Sequence, residues 1–360
     1  MWMHVAAGLT KKQNRGIWEK KLTNGCLMNL KVGITYNLRT DFPHHDNDPI
    51  DLWEEFDSEE TIDAIRSVLE KEGHEVVKLG GGPALIDRLR QTPVDIVFNI
   101  AEGHQGRNRE AHIPALLEFL NIPYTGSDPL TLAVTLDKSV AKRVVTSEHI
   151  PTPGFKKVTK MEDLKALGLS YPLFVKPCYE GSSKGVRLDS KIMDRGSLEE
   201  KMGWLLKHYG PPLLVEEFIS GPEFTVGILG NEEPSVLGVM QIEIKGRPPA
   251  ESIYSVEIKR EWQKKVQYHC PPPIEKTLLR KIEEVALRCY QVLDCRDVSR
   301  VDIRVGEDGT PFFLEVNPLP GLSPQYGDLP IMAGRMGWDY DRLVKTIFQH
   351  ALKRYGLSGG

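Results

Sequence analysis

The chain has 360 residues, 40% of them apolar, which is more than one small core can use and points to two or three domains. Lys and Arg total 46 against 50 Asp and Glu, a near-neutral balance that exerts no general pull toward nucleic acid or acidic membranes and favours small-molecule chemistry. Five cysteines (Cys26, Cys178, Cys270, Cys289, Cys295) form no C-x-x-C pair, which argues against a zinc knuckle or a disulfide framework and fits a cytoplasmic protein.

No run of about 18 apolar residues occurs, and the first 30 residues lack the order of a secretion signal, so no membrane span is expected. Residues 1–27 are mixed and aperiodic, then Met28-Asn29-Leu30 opens into the strand-like Lys31 to Tyr36. Two readings are expected: a natural start at Met28, or a disordered arm formed by the N-terminal extension, residues 1–29. From there the pattern alternates as α/β units do: a helix at Ser58 to Glu72, a strand at His74 to Leu79, a helix at Ala84 to Arg90, a strand at Asp95 to Ile100, and a helix at Ala111 to Leu120. Residues 30–126 therefore predict a small open parallel sheet. A helix at Asp137 to Ser147 follows, and after the Pro151-Thr152-Pro153-Gly154 linker two strands, Leu173 to Lys176 and Val186 to Leu188, flank a Gly/Ser turn. A third region starts after Gly210-Pro211-Pro212, with strands at Leu213 to Glu217, Glu223 to Leu229 and Ser235 to Ile244. A long loop at Lys245 to Pro273 and a helix at Ile274 to Leu293 complete it, giving divisions at 30–126, 127–212 and 213–356.

The most informative segment is the hairpin Arg300 to Asn317, whose Asp308-Gly309 is a two-residue turn signal. Counting back from that loop sets Asp302 opposite Glu315 and Arg300 opposite Asn317, all on one face. Opposed β-carbons lie about 4.5–5.5 Å apart, where two carboxylates repel unless a cation or proton lies between them. Hard oxygen ligands at that spacing suit Mg²⁺ carrying phosphate oxygens; the competing reading is a solvated face of ordinary surface charge.

Glu180-Gly-Ser-Ser-Lys-Gly185 lies between strand-like segments and can turn backbone N–H groups and hydroxyls toward phosphate. No Walker A pattern is present, and Gly80-Gly81-Gly82 lacks the third glycine of a dinucleotide loop. Gly181 to Gly185 also fits the G-x-S-x-G nucleophile elbow, but an elbow needs a helix immediately after the serine, whereas Val186-Arg187-Leu188 alternates like a strand. Lys176 follows the apolar Leu173-Phe174-Val175, placing an ammonium at the end of a buried strand unless it snorkels to solvent.

From about Lys31 to Tyr355 the sequence resembles the ATP-grasp superfamily, and within it the D-alanine–D-alanine ligases. The resemblance is carried by Asn121-Ile-Pro-Tyr-Thr-Gly-Ser127 with Asp137-Lys138, Tyr171-Pro-Leu-Phe-Val-Lys-Pro177, Glu180 to Gly185, Val215-Glu216 through Gly221-Pro-Glu-Phe-Thr-Val226, and Leu314-Glu-Val-Asn-Pro318 with Pro320-Gly321. It implies a three-domain α/β (α+β) fold, an N-terminal open parallel sheet followed by two antiparallel α+β domains that sandwich ATP. By position, Lys138, Lys176, Ser182 and Ser183 meet ATP phosphates, Glu216, Glu217, Phe218 and Ile219 the adenine, Glu223 the ribose, and Lys259 the terminal phosphate. Asp302, Glu315 and Asn317 hold two Mg²⁺ or Mn²⁺ ions, while Arg300 and the Gly321 amide stabilise a tetrahedral oxyanion; Ser182 and Lys259 join these two as catalytic groups. The implied reaction converts one amino acid's carboxylate to an acylphosphate that a second amino acid's amine attacks, in an enzyme family where dimers are common.

The departures lie on the amino-acid side. Glu102-Gly103 stands where the family has His-Gly, Arg260 where it has a tyrosine beside the loop lysine, and Tyr326 where it has a serine. The family's first-domain glutamate falls among Glu54, Glu55 and Asp57, which all compete for its role. The expectation is an intact ATP half and an altered amino-acid half, joining amino acids other than two D-alanines, with Arg260 and Arg300 on substrate and Arg260 meeting an extra negative charge.

Overall fold

The computed structural model describes residues 29–42, 49 and 51–357. Met28, residues 1–27 and Cys26 lie outside the described residues, so the expected start and extension are not addressed.

The chain opens as alternating units: β1 Lys31–Thr35, α1 Glu59–Lys71, β2 Glu75–Lys78, α2 Leu85–Gln91, β3 Ile96–Asn99 and α3 His112–Phe119. Helix α1 forms because Ile62, Ile65, Val68 and Leu69 recur at helical spacing and bury one stripe, while Glu59 and Glu60 in its first turn and Lys71 in its last suit the helix dipole. The three strands pair in parallel in the order β2-β1-β3, the open sheet expected. Two helices follow, α4 Pro129–Leu136 and α5 Lys138–Ser147. The sequence reading missed α4 because residues such as Leu130, Leu132, Val134 and Leu136 are spread around it without a period.

A four-stranded antiparallel sheet comes next, from β4 Phe155–Val158, β5 Leu173–Pro177, β6 Lys191–Ile192 and β7 Leu213–Glu217, in the order β4-β7-β5-β6. Helix α6 Arg195–His208, also not foreseen, covers it through Leu198, Met202 and Leu205. Val186–Leu188 is not the strand predicted. The partner of β5 is β6, through Leu173 opposite Ile192, and the segment between them is a compact turn in which Ser182 (φ 49°), Ser183 (φ 60°) and Gly185 (φ 76°) are left-handed. Val186 is spent instead on a small core with Phe218 and Ile253.

The third sheet is antiparallel, built from β8 Glu223–Leu229, β9 Ser235–Ile244, β10 Val266–His269, β11 Val298–Val305 and β12 Pro311–Asn317, ordered β10-β9-β8-β11-β12. The predicted loop from Lys245 to Pro273 is partly ordered, containing the short helices α7 Val256–Arg260 and α8 Trp262–Lys265 before β10 adds to the sheet edge. Helix α9 Lys276–Val292 packs on the sheet with Ile282, Val285, Ala286 and Cys289, joined in that core by Ala141 and Val145 of α5. Helices α10 Asp328–Arg335 and α11 Tyr340–Arg354 return the chain to the first sheet, where Val344, Ile347 and Phe348 share a core with Ile34 and Phe98.

The β11–β12 register is as expected where it matters, but by another route. Among the described residues of the connection only Gly309 has a positive φ (78°), so this is not the two-residue turn predicted, which needs φ > 0 at both positions. Gly306 N–H donates to Thr310 O (2.8 Å), and Val305 pairs with Pro311, one residue off the predicted count. A bulge at Leu314 takes the slip back, so that Asp302 faces Glu315 and Arg300 faces Asn317.

Candidate functional site

Two cavities lie between the sheets. The outer cleft, about 860 Å³, runs between β5 and β7 on one side and β8, β11 and β12 on the other. The inner one, about 1,590 Å³, opens toward the first sheet's loops. Lys138, Lys259 and Arg300 line both.

The outer cleft is built by diagonal neighbours in the second sheet. Lys176 pairs with Leu214, so Glu216, two residues further along β7, lies on the same face. Its carboxylate takes the Lys176 ammonium at 3.0 Å and Lys142 at 2.9 Å. Burial opposes ionisation of Glu216, but the two lysines outweigh it and hold its carboxyl below the usual range. Burial likewise disfavours charge on Lys176, and Glu216 with Glu315 more than compensates, pushing its pKa up. The ammonium is thus locked in the charged form at the end of a buried strand.

Lys138 is set by its helix start. Asp137 caps α5, accepting from the backbone N–H groups of Ser139 and Val140, and is fully buried among Lys157 (3.1 Å) and Arg107 (3.0 Å). That cap aims Lys138 at the Glu180 carbonyl (2.6 Å) and to within 3.7 Å of Glu315. Lys142, four residues on, shares its face.

On the third sheet Arg300 donates twice to Asp302 (3.0 Å each) and lies 3.3 Å from Asp328, while Thr225 donates to Asp302 at 2.7 Å and Asn317 at 3.2 Å. Burial works against the Arg300 charge, yet Asp302 and Asp328 raise its pKa well above the ordinary. Burial also opposes charge on Glu315, but Lys138, Lys176, Arg300 and Lys259 outweigh it and keep its carboxyl far below the usual range. The like-charge clash anticipated for Asp302 and Glu315 is met by cations, Arg300 serving both and Lys138, Lys176 and Lys259 adding to it at Glu315.

Every ATP-side residue expected, apart from Ser182, lines the outer cleft: Lys138, Lys176, Ser183, Glu216, Glu217, Phe218, Ile219, Glu223 and Lys259, with Asp302 and Glu315. Two of them are employed differently from the expectation. The Glu216 carboxylate is engaged by two lysines, and that of Glu217 accepts from Ser170 N–H at 3.0 Å. Burial raises the Glu223 pKa, with Arg304 partly offsetting it. Arg304 reaches into this wall because Gly221 permits it: a β-carbon there would sit 1.8 Å from Val305 O, and Arg304 donates to Gly221 O at 2.9 Å.

The inner cavity collects Glu54, Asp57, Glu102, Ser182, Arg260, Asn317, Gly321 and Tyr326. Arg260 donates to Glu54 at 2.8 Å, so the charge expected to meet a substrate anion already meets a protein carboxylate. Glu55 is held by Lys184 (3.1 Å) and Arg109 (3.0 Å), which outweigh its burial and lower its pKa. Asp57 goes the other way, pushed by burial up to about 7 with Arg39 alone opposing. Glu102 precedes Gly103, where φ is 71° and a β-carbon would sit 2.3 Å from Arg109 O, so no side chain is admitted. Tyr326 is 45% exposed at the rim.

Sequence reasoning missed Arg109, Glu110, Lys184, Tyr254 and Asp328. Tyr254 and Tyr268 hydroxyls lie 2.5 Å apart and both reach Asp328, which in turn holds Arg300. None sits in a periodic pattern or opposite a counted neighbour; only Lys184, inside the Gly/Ser turn, carried a local signal.

The profile of the D-ala D-ala ligase C-terminus family matches residues 144–349. A D-alanine–D-alanine ligase of Pelotomaculum thermopropionicum is 32% identical over 82% of this chain and 92% of its own length. An uncharacterised protein of Sinorhizobium fredii is 34% identical over 82% of this chain and 89% of its own. Among solved structures, a D-alanine–D-alanine ligase from Bacillus anthracis complexed with ATP superposes with a TM-score of 0.69 at 22% identity, covering 91% of this chain and 99% of that one, a likeness of fold.

Proposed function

The chain belongs to the D-alanine–D-alanine ligase family of ATP-grasp carbon–nitrogen ligases, and on that premise we propose that it joins two amino acids at the expense of ATP. The observation that carries the reading is the junction of the two cavities at Lys138, Lys259 and Arg300. A nucleotide in the outer cleft would present its terminal phosphate to the inner cavity there.

Lys138, Lys176 and Lys259 would neutralise the phosphates, since phosphoryl transfer asks the protein mainly for positioning and charge. The carboxylate of the first amino acid attacks the terminal phosphorus and ADP departs. The amine of the second attacks the acyl carbon of the resulting acylphosphate, the oxyanion rests against Arg300 and the Gly321 N–H, and phosphate leaves with the proton passing to solvent. Helices α7 and α8, which carry Lys259 and Trp262 to the cavity wall, would exclude the water that otherwise hydrolyses the acylphosphate.

The acidic face of β11 and β12 fits a divalent ion. Asp302, Glu315 and Asn317 offer hard oxygen donors on one face, and the two carboxylates, 15% and 22% exposed, open toward the cleft. Two Mg²⁺ ions, when bound, would add charge neutralisation at the transferring phosphoryl group. We extend the proposal to a homodimer working in the cytosol; no described helix is long and apolar enough to cross a membrane, and the four described cysteines are free thiols.

The test is ADP release measured against a panel of amino-acid pairs, with product masses. Amine-dependent ADP release with a new peptide bond supports the reading; phosphate release indifferent to any amine would instead indicate a phosphotransferase or simple ATPase.

A further inference from the structure

Six carboxylates line the inner cavity: Asp328, which holds Arg300, and on the side of the first sheet Glu54, Glu55, Asp57, Glu102 and Glu110. Their partners can be assigned one at a time. Arg260 is taken by Glu54 at 2.8 Å. Arg109 and Lys184, each 5% exposed at the side chain, are divided between Glu55 and Glu180. Arg109 also donates to the Tyr179 carbonyl at 2.9 Å, and its Nε is buried without a hydrogen-bond partner. Asp57 has Arg39 nearby as its one opposing charge, but that guanidinium donates to the Glu54 and Phe56 carbonyls.

Glu102 and Glu110 are left over. Among the described residues neither accepts a hydrogen bond nor joins an ion pair, although Glu110 is only 9% exposed and both border the cavity. A buried carboxylate without a partner costs several kcal/mol if ionised. In the ligand-free protein the cost is met by protonation: burial, then mutual repulsion, pushes Glu102 well up, and burial takes Glu110 to about 7. Glu102 and Glu110 belong to no group of three His, Cys, Asp or Glu arranged around a metal position among the described residues. The missing partner is an organic cation.

Resting on the ligase reading, we propose that the amino acid bound in the inner cavity carries a cationic side chain, with Glu102 and Glu110 as its receptor and Asp57 beside them. An α-ammonium alone needs one carboxylate; two unpaired ones and a third weakly opposed call for a second positive charge. A basic or diamino acid such as lysine or ornithine supplies it.

The experiment compares lysine with norleucine and ornithine with norvaline, each as L and D forms, in ADP release with alanine as the fixed acceptor. These pairs differ by one ammonium on chains of equal carbon count. A preference for the diamino acid of at least about tenfold in kcat/KM, falling to about threefold or less in E102Q/E110Q with cooperative melting retained, is the expected result. Equal or better turnover of norleucine and norvaline overturns the proposal. If no amino acid stimulates ADP release, the ligase reading fails separately, and calorimetric titration of the ligand-free protein still decides the cavity: lysine binding tighter than norleucine, and losing that advantage in E110Q, sustains the cationic site, whereas equal or absent binding of both overturns it.

Discussion

The outer cleft and the inner cavity share a wall but treat charge in opposite ways. In the outer cleft two acids are held between buried bases: Glu216 lies between Lys142 and Lys176, and Glu315 faces Lys138 and Lys176. In the inner cavity neither Glu102 nor Glu110 joins an ion pair among the described residues, and Arg109, which opposes the charge of both, does not outweigh their burial. The first pattern is a preorganised receptor for an anion, rigid before its ligand arrives, since fixed dipoles and charges need no rearrangement when charge develops. The second is a receptor that the ligand itself must complete. The difference teaches that electrostatic balance within the protein marks where chemistry is done, and imbalance marks where a substrate is chosen.

The comparison can be broken most severely at Glu315. E315Q removes the acid that meets two lysines on the oxygen-ligand face, and turnover is expected to fall at least about 10³-fold while the melting transition stays cooperative. Near-normal turnover would remove the assignment of this face to phosphate and metal. Arg300→Lys keeps the charge but loses the fork that grips Asp302; kcat is expected to fall by about 10²-fold, with the KM for ATP changing less. Lys176→Met leaves Glu216 with Lys142 alone, so the KM for ATP should rise at least about tenfold and stability drop by on the order of 3 kcal/mol in chemical denaturation.

The inner cavity should respond with the opposite sign. Glu110 keeps its proton in the folded chain to about pH 7, whereas in the unfolded chain it ionises near the ordinary 4.5. The unfolded state therefore binds fewer protons between those values, and ligand-free stability falls as pH rises through that window, the loss being complete above about 7. E110Q cannot pay this penalty. It should match the parent near pH 4–5 and be more stable at pH 8 by on the order of 2 kcal/mol in urea unfolding. A destabilised E110Q at pH 8 would mean that Glu110 is satisfied within the fold. The smallest effect belongs to Glu54→Gln, which removes the ion pair with Arg260 at the partly exposed rim: stability should change by less than about 1 kcal/mol, with the amino-acid KM rising a few-fold and the ATP KM unmoved.

Much of the outer cleft was legible because its residues sit on regular elements with countable neighbours. Lys176 ends an apolar run, Asp137 is a helix cap, and Asp302 and Glu315 fall opposite each other on a hairpin. Even so the hairpin count was correct at the site only because the bulge at Leu314 cancelled the error in turn type. The inner cavity was legible as departures, Glu102, Arg260 and Tyr326, but not as an environment. Glu110 and Asp328 lie at the start of helical segments with nothing local to distinguish them from surface acids. Helices α4 and α6 were missed for a related reason, the one apolar around its surface and the other only weakly patterned.

The sequence by itself determined the fold class, the order of the elements and the acid–base pairs that adjacent strands or one helix face bring together, because periods of two and 3.6 residues and turn chemistry are local properties of the chain. Only the tertiary structure decided which carboxylates find a partner. Arg260 and Glu54 are 206 residues apart, and Lys184 and Glu55 are 129 apart. No local rule pairs such residues; whether a buried charge is neutralised or left open depends on loops from the first sheet, the Gly/Ser turn and helix α7 meeting around one cavity.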